Sequence, residues 1–136
     1  MSLISGKYQH YKNENTDEYF TAIGVPFMAR KMMGLASPLM EINLDGDEVT
    51  IKTASMVRTV ENKFKLGVEY DDPMPSTVLK SITKIVNDNE LLTESVIPET
   101  GVKSGRHYLF SEDECIVTLT HENAAIPGKR YFKRVQ

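Results

Sequence analysis

A single cysteine, Cys115, leaves no partner for an internal disulfide, and one free thiol fits a reducing compartment, with the cytosol as the expected location. No apolar run approaches the ~20 residues of a membrane span. Residues Met1 to Lys7 lack a basic segment followed by an apolar stretch, and no Asn-x-Ser/Thr acceptor occurs, so secretion is not expected. The net charge of −3 gives no general attraction to phosphate backbones. A Gly-rich phosphate loop, a Gly-x-Ser-x-Gly elbow and a Cys-x-x-Cys pair are all missing. His10, His107 and His121 stand apart without metal-ligand spacing and read as surface or packing residues. These absences argue against an enzyme and against any metal or cofactor.

What is present reads as one domain over residues 1–136, mostly β, with a helical interruption near its start. Asn15 or Thr16 can cap a helix whose first turn carries Asp17 and Glu18, and Tyr19, Phe20 and Ile23 form its apolar stripe. Gly24 stops it. Pro26 suits the first position of a second helix carrying Phe27, Met28, Met32, Met33 and Leu35, and Ser37-Pro38 ends it. Two helices of two or three turns at about 16–36 cannot build a core and read as a lid on strands.

The rest alternates. Met40–Leu44 and Val49–Thr53 flank the Asp45-Gly46 turn signal and form the strongest hairpin. Val57–Leu66 and Val68–Tyr70 flank Gly67 and suggest an interrupted strand pair, followed by a loop at Pro73 and Pro75. Val78–Val86, Leu91–Ile97, Val102–Phe110, Cys115–His121 and Lys129–Val135 are five further strands, with β-branched residues favouring strand over helix near Ile82 and Ile85. With Ser5–Lys12, the count is about ten, each turned back after roughly eight to twelve residues, as in an antiparallel barrel or sandwich.

On the last strand Arg130 and Phe132 share one face. If that face is inward, a guanidinium enters the interior and needs an anion; if outward, Arg130 is a solvated cation or a partner of a structural carboxylate. Arg106 and Tyr108 share a face in the same way and could join Arg130 on one carboxylate, which the planar guanidinium fork suits. The alternative for them is a solvated edge. The methionines of the second helix offer adaptable apolar surface, for packing or for varied aliphatic ligands.

Gly6-Lys7-Tyr8, Asn15-Thr16-Asp17-Glu18-Tyr19-Phe20, Ile23-Gly24-Val25, Ala29-Arg30-Lys31, Asp45-Gly46-Asp47, Thr50-Ile51-Lys52-Thr53, Phe64–Asp71 and Thr118-Leu119-Thr120-His121 occur in an order that resembles the cytosolic fatty-acid-binding proteins of the intracellular lipid-binding protein family. The resemblance implies a ten-stranded antiparallel β-barrel of clam-shell form, closed by a helix-turn-helix. It implies a monomeric, cytoplasmic, non-enzymatic carrier of a long-chain fatty acid, without cofactor, with retinoic acid or another bulky carboxylate as the alternative cargo and a membrane-associated structural barrel as a more distant one.

It further implies that Arg130, in an Arg-x-Phe pattern, points inward to the ligand carboxylate, helped by Arg106 or Tyr108. Tyr19, Ile23, Met33, Val57 and Phe132 then line the cavity and portal. Phe132 supplies no aromatic hydroxyl, and the position of the family's second arginine falls on Tyr108, with Arg106 one inward step away. Arg30 and Lys31 are the residues expected to touch anionic membranes transiently.

Overall fold

The structure is a computed structural model that describes residues 3–55, 59–73 and 78–135. Its strands are β1 (Gly6–Glu14), β2 (Leu39–Asp45), β3 (Glu48–Ala54), β4 (Thr59–Lys65), β5 (Tyr70–Pro73), β6 (Val78–Asn87), β7 (Glu90–Val96), β8 (Lys103–Phe110), β9 (Glu114–His121) and β10 (Gly128–Arg134). Between β1 and β2 lie α1 (Thr16–Ala22) and α2 (Phe27–Leu35). The strands form one antiparallel sheet ordered β4-β3-β2-β1-β10-β9-β8-β7-β6-β5, so β1 and β10, the first and last strands, pair in its middle and join its two halves. The Asp45-Gly46 turn joins β2 to β3, Gly46 taking the left-handed φ of 63° that such a turn requires. Residues expected to be an interrupted strand pair around Gly67 become β4 and β5, the two ends of the sheet. Among the described residues these two share no hydrogen-bonded ladder.

Cross-strand partners lie on the same face, so the pairing registers define the interior. Tyr8, Met40, Ile42, Val49, Phe64, Leu91, Tyr108, Phe110, Cys115, Val117 and Phe132 are buried there with Ile4 from the N-terminal segment. Burying such side chains contributes roughly 1.5–3 kcal/mol each. Residues 3–5 cross one mouth of the barrel, held by Tyr8, whose hydroxyl donates to the carbonyls of Leu3 and Ile4, and by the Arg134 guanidinium, which donates to the Leu3, Ser5 and Ser111 carbonyls.

The helices cover the other mouth. Asn15 is the residue before α1, as expected, but its φ is 56° and its side chain makes no capping bond. The side-chain amide donates instead to the Ile126 and Pro127 carbonyls, tying α1 to the segment that leads into β10. Gly128 sits so close beneath α1 that a Cβ there would lie 3.1 Å from Cβ of Tyr19. Pro26 stands one residue earlier than expected, as the cap of α2. Arg30 braces the pair: its Nε lies 3.1 Å from Oδ1 of Asp17, and its Nη1 donates to the Val25 carbonyl at 2.8 Å.

Candidate functional site

Strict alternation along β1 would place His10 and Lys12 on one face. A register shift between them inserts Tyr11 as an extra residue, so that Tyr11 and Lys12 join Tyr131 outside, with Lys12 Nζ 4.6 Å from the Tyr131 ring centre. Asn13 is thereby brought opposite Arg130, and His10 opposite Phe132. Arg130 shares its face with buried Phe132 and, across β9, with Val117 and then Tyr108. Its side chain therefore lies inside the barrel, under the helices.

Two cavities meet at Arg130. One, of about 50 Å³, is lined by Asn13, Thr16, Asp17, Phe20, Arg30, Met33 and Arg130. The other, of about 140 Å³, is lined by Met33, Ala36, Pro38, Thr53, Ser55, Val60 and Arg130. Met33 of α2 and Arg130 are common to both. Each cavity is smaller than the roughly 300–1,000 Å³ common for ligand pockets.

Among the described residues no carboxylate pairs with Arg130. Its recorded hydrogen bond is a long one, Nε to Oδ1 of Asn13 at 3.4 Å. Burial alone pushes this guanidinium below its ordinary range, with no anion to restore it. Arg106 is in the opposite condition. It pairs with Asp72, whose other bonds come from Ser81 Oγ and Asn62 Nδ2, each at 3.2 Å. Burial pulls Arg106 down, but the anionic character of its surroundings, with the Asp72 carboxylate as the charge in contact, more than reverses this and holds it firmly charged. From the pairing, Arg106 lies two strands and two residues from Arg130, about 12 Å between backbones at usual strand spacings.

The wall around Arg106 is polar. Ser81 bonds Ser95, Thr83 bonds Thr93, both at 2.7 Å, and the Tyr70 hydroxyl meets Thr83 at 2.9 Å. Sequence reasoning gave these hydroxyls no role; alternation of Ser81-x-Thr83 and Thr93-x-Ser95 was the available signal. Asp72, which the sequence did not single out, proves to be the charge partner of Arg106.

Tyr108 is buried inside β8, stacked on Phe110, and burial raises its phenol despite the opposing charge of Arg106. Tyr19 is buried beneath α1, and burial pushes its phenol up to about 12, Arg106 pulling the other way. Ile23 is half-buried at the end of α1. Val57 lies outside the described residues. Met33, Phe132 and Arg130 are thus brought to one region, whereas Arg106 is brought to Asp72.

A model of the lipocalin / cytosolic fatty-acid binding protein family matches residues 5–125. A fatty acid-binding protein of Tyrophagus putrescentiae is 35% identical over 138 residues, covering 98% of this chain and 99% of that protein. Human cellular retinoic acid-binding protein 2 is 32% identical over 128 residues, covering 90% of this chain and 93% of its own. The crystal structure of the fatty acid-binding protein from Drosophila melanogaster brain tissue superposes with a TM-score of 0.84 at 34% identity, covering 97% of this chain and 99% of that one. By its fold and its likeness over nearly the whole length, this chain belongs to the lipocalin / cytosolic fatty-acid binding protein family.

Proposed function

We propose that this protein is a monomeric, single-domain cytoplasmic carrier that binds a long-chain fatty acid inside the barrel, with the carboxylate on Arg130 and the chain running along Met33, Val60 and the apolar interior. The observation that carries this reading is the charge state of the interior. Arg106 is already neutralised by Asp72, while Arg130 is half-buried beside a cavity and has no counter-ion among the described residues. A buried ion without a partner is costly, and a ligand carboxylate would relieve that cost. The aliphatic chain supplies the bulk of the affinity, about 0.8 kcal/mol per buried methylene before association costs. Family membership supports a lipid carrier rather than an enzyme.

Calorimetry on delipidated protein tests the assignment, using a long-chain fatty acid, the matching fatty alcohol and Arg130→Ala. Hydrogen bonds to charged groups are worth about 1.5–3 kcal/mol, so Arg130→Ala weakens the acid by roughly 10- to 150-fold and leaves the alcohol nearly unchanged. Equal binding of acid and alcohol by the wild type would remove Arg130 from the site. Retinoic acid is the second reading, supported by the likeness to cellular retinoic acid-binding protein 2; its displacement of a bound fatty acid at equimolar concentration would favour it.

Delivery to membranes would use α2. Phe27, Met28 and Met32 are exposed there beside exposed Lys31, whereas Arg30 is held by Asp17 and Val25. Lys31→Glu should slow transfer to anionic vesicles; unchanged transfer rates would discard this route.

A further inference from the structure

Arg130 can only donate hydrogen bonds, so the Asn13 atom beside its Nε is the amide oxygen. The same oxygen lies 2.7 Å from Nε2 of His10, which must therefore carry the proton of the neutral ring. Two consequences follow from planar geometry. The Asn13 amino group is turned away from both donors, and Asn13 lines the cavity that Arg130 also lines. Nδ1 of His10 is left as a bare lone pair, buried and without a hydrogen-bond partner, on a residue only 7% exposed. Phe132, whose ring meets His10 edge-on at 5.4 Å, brings no hydroxyl to this region.

We infer that the Arg130 guanidinium and the Asn13 amino group together hold the anionic head group of the ligand, and that His10 is the positioning residue that orients Asn13 and takes up a proton at Nδ1 as the anion binds. This rests on the carrier reading above, and specifies how its site recognises an anion.

The charges around the ring set the sign. Burial lowers the His10 pKa below the usual imidazole value, the bond to Asn13 favours the charged form, the Arg130 charge opposes it and the Lys12 backbone favours it. On the β2 side the neighbours are uncharged: the Ser37 hydroxyl donates to the His10 carbonyl, and the His10 amide donates to Pro38. Across the cavity the helices present Asp17 and Arg30, already paired to each other. An anion on Arg130 offsets the one opposing charge, so His10 binds a proton more readily in the complex than in the free protein. Between its free and bound pKa values, lowering the pH tightens anion binding by up to tenfold per pH unit; above both, pH has no effect through this group.

The whole chain, delipidated, is titrated with dodecanesulfonate below its micellar concentration, from pH 5.5 to 8.5, in two buffers of different ionisation enthalpy. The sulfonate stays charged throughout, so any proton exchanged belongs to the protein. Wild type should bind more tightly as pH falls, with net uptake of part of a proton. His10→Leu should bind about tenfold more weakly with no uptake. His10→Gln, which can donate to Asn13 but cannot gain a proton, should recover part of that affinity and still show no uptake. Saturable binding without proton uptake in wild type, or equal uptake in wild type and His10→Gln, would overturn the inference while leaving the carrier standing. Failure of wild type to bind dodecanesulfonate and laurate alike would overturn the carrier reading itself.

Discussion

Asp72→Asn keeps the shape of the side chain and deletes its charge. In the wild type Asp72 is almost fully buried and holds Arg106, Ser81 and Asn62. Removing one member of a buried ion pair costs about 3–5 kcal/mol, because the survivor stays charged in a poor solvent for charge. The Arg106 side chain is 26% exposed, so the lower end applies, about 3 kcal/mol. For a chain of this size that lowers Tm by roughly 10–15 °C. The assay is thermal unfolding of delipidated protein, read by circular dichroism, on wild type, Asp72→Asn and Asp72→Asn/Arg106→Leu. The double variant removes both charges and should return to within about 1.5 kcal/mol of wild type, as apolar replacement of whole ion pairs does elsewhere. A fatty acid should then raise Tm more in Asp72→Asn than in wild type, since two unpaired guanidinium groups lie inside the barrel instead of one. If Asp72→Asn melts within about 3 °C of wild type, the claim that Arg106 depends on this partner is wrong, and so is the contrast with Arg130.

Gly128→Ala should destabilise the protein by about 1–3 kcal/mol in urea unfolding, because the new methyl meets Cβ and Cγ of Tyr19 at 3.1 and 3.2 Å. The same change lifts α1 from β10 and should speed ligand release in stopped-flow displacement; unaltered stability and release would show that α1 yields freely. Cys115 is fully buried, and burial raises its thiol against the opposing charge of Arg134. It should react with a thiol reagent only as fast as the barrel opens, and rapid labelling of native protein would contradict its placement.

Elements whose chemistry is local were legible in the sequence. The Asp45-Gly46 hairpin, the helix stop at Gly24 and the strand character of Ile82 and Ile85 each follow from neighbours within a few residues. The inward face of Arg130 needed the ordered resemblance, since alternation yields two faces without saying which is inside. What stayed hidden depends on contacts distant in sequence. Asp72 and Arg106 are 34 residues apart and meet only after β5 and β8 take their places. Asn13 owes its inward position to the irregularity at Tyr11, which carries no glycine or other local signal, and His10 consequently reads as isolated until the bulge sets Asn13 beside it.

Among the described residues, the separation of β4 from β5 makes this barrel a seamed container instead of a sealed one. Two strand edges face each other across the seam, and the hydrogen bond from Asn62 to Asp72 is a side-chain stitch between them. Each edge shields the other from stray strands, a hazard that open sheets must otherwise meet with charge or proline. Because the stitch ends on the carboxylate that neutralises Arg106, widening the seam would draw on the same group that balances the interior charge. The capacity of the container and its electrostatics are therefore joined at one residue.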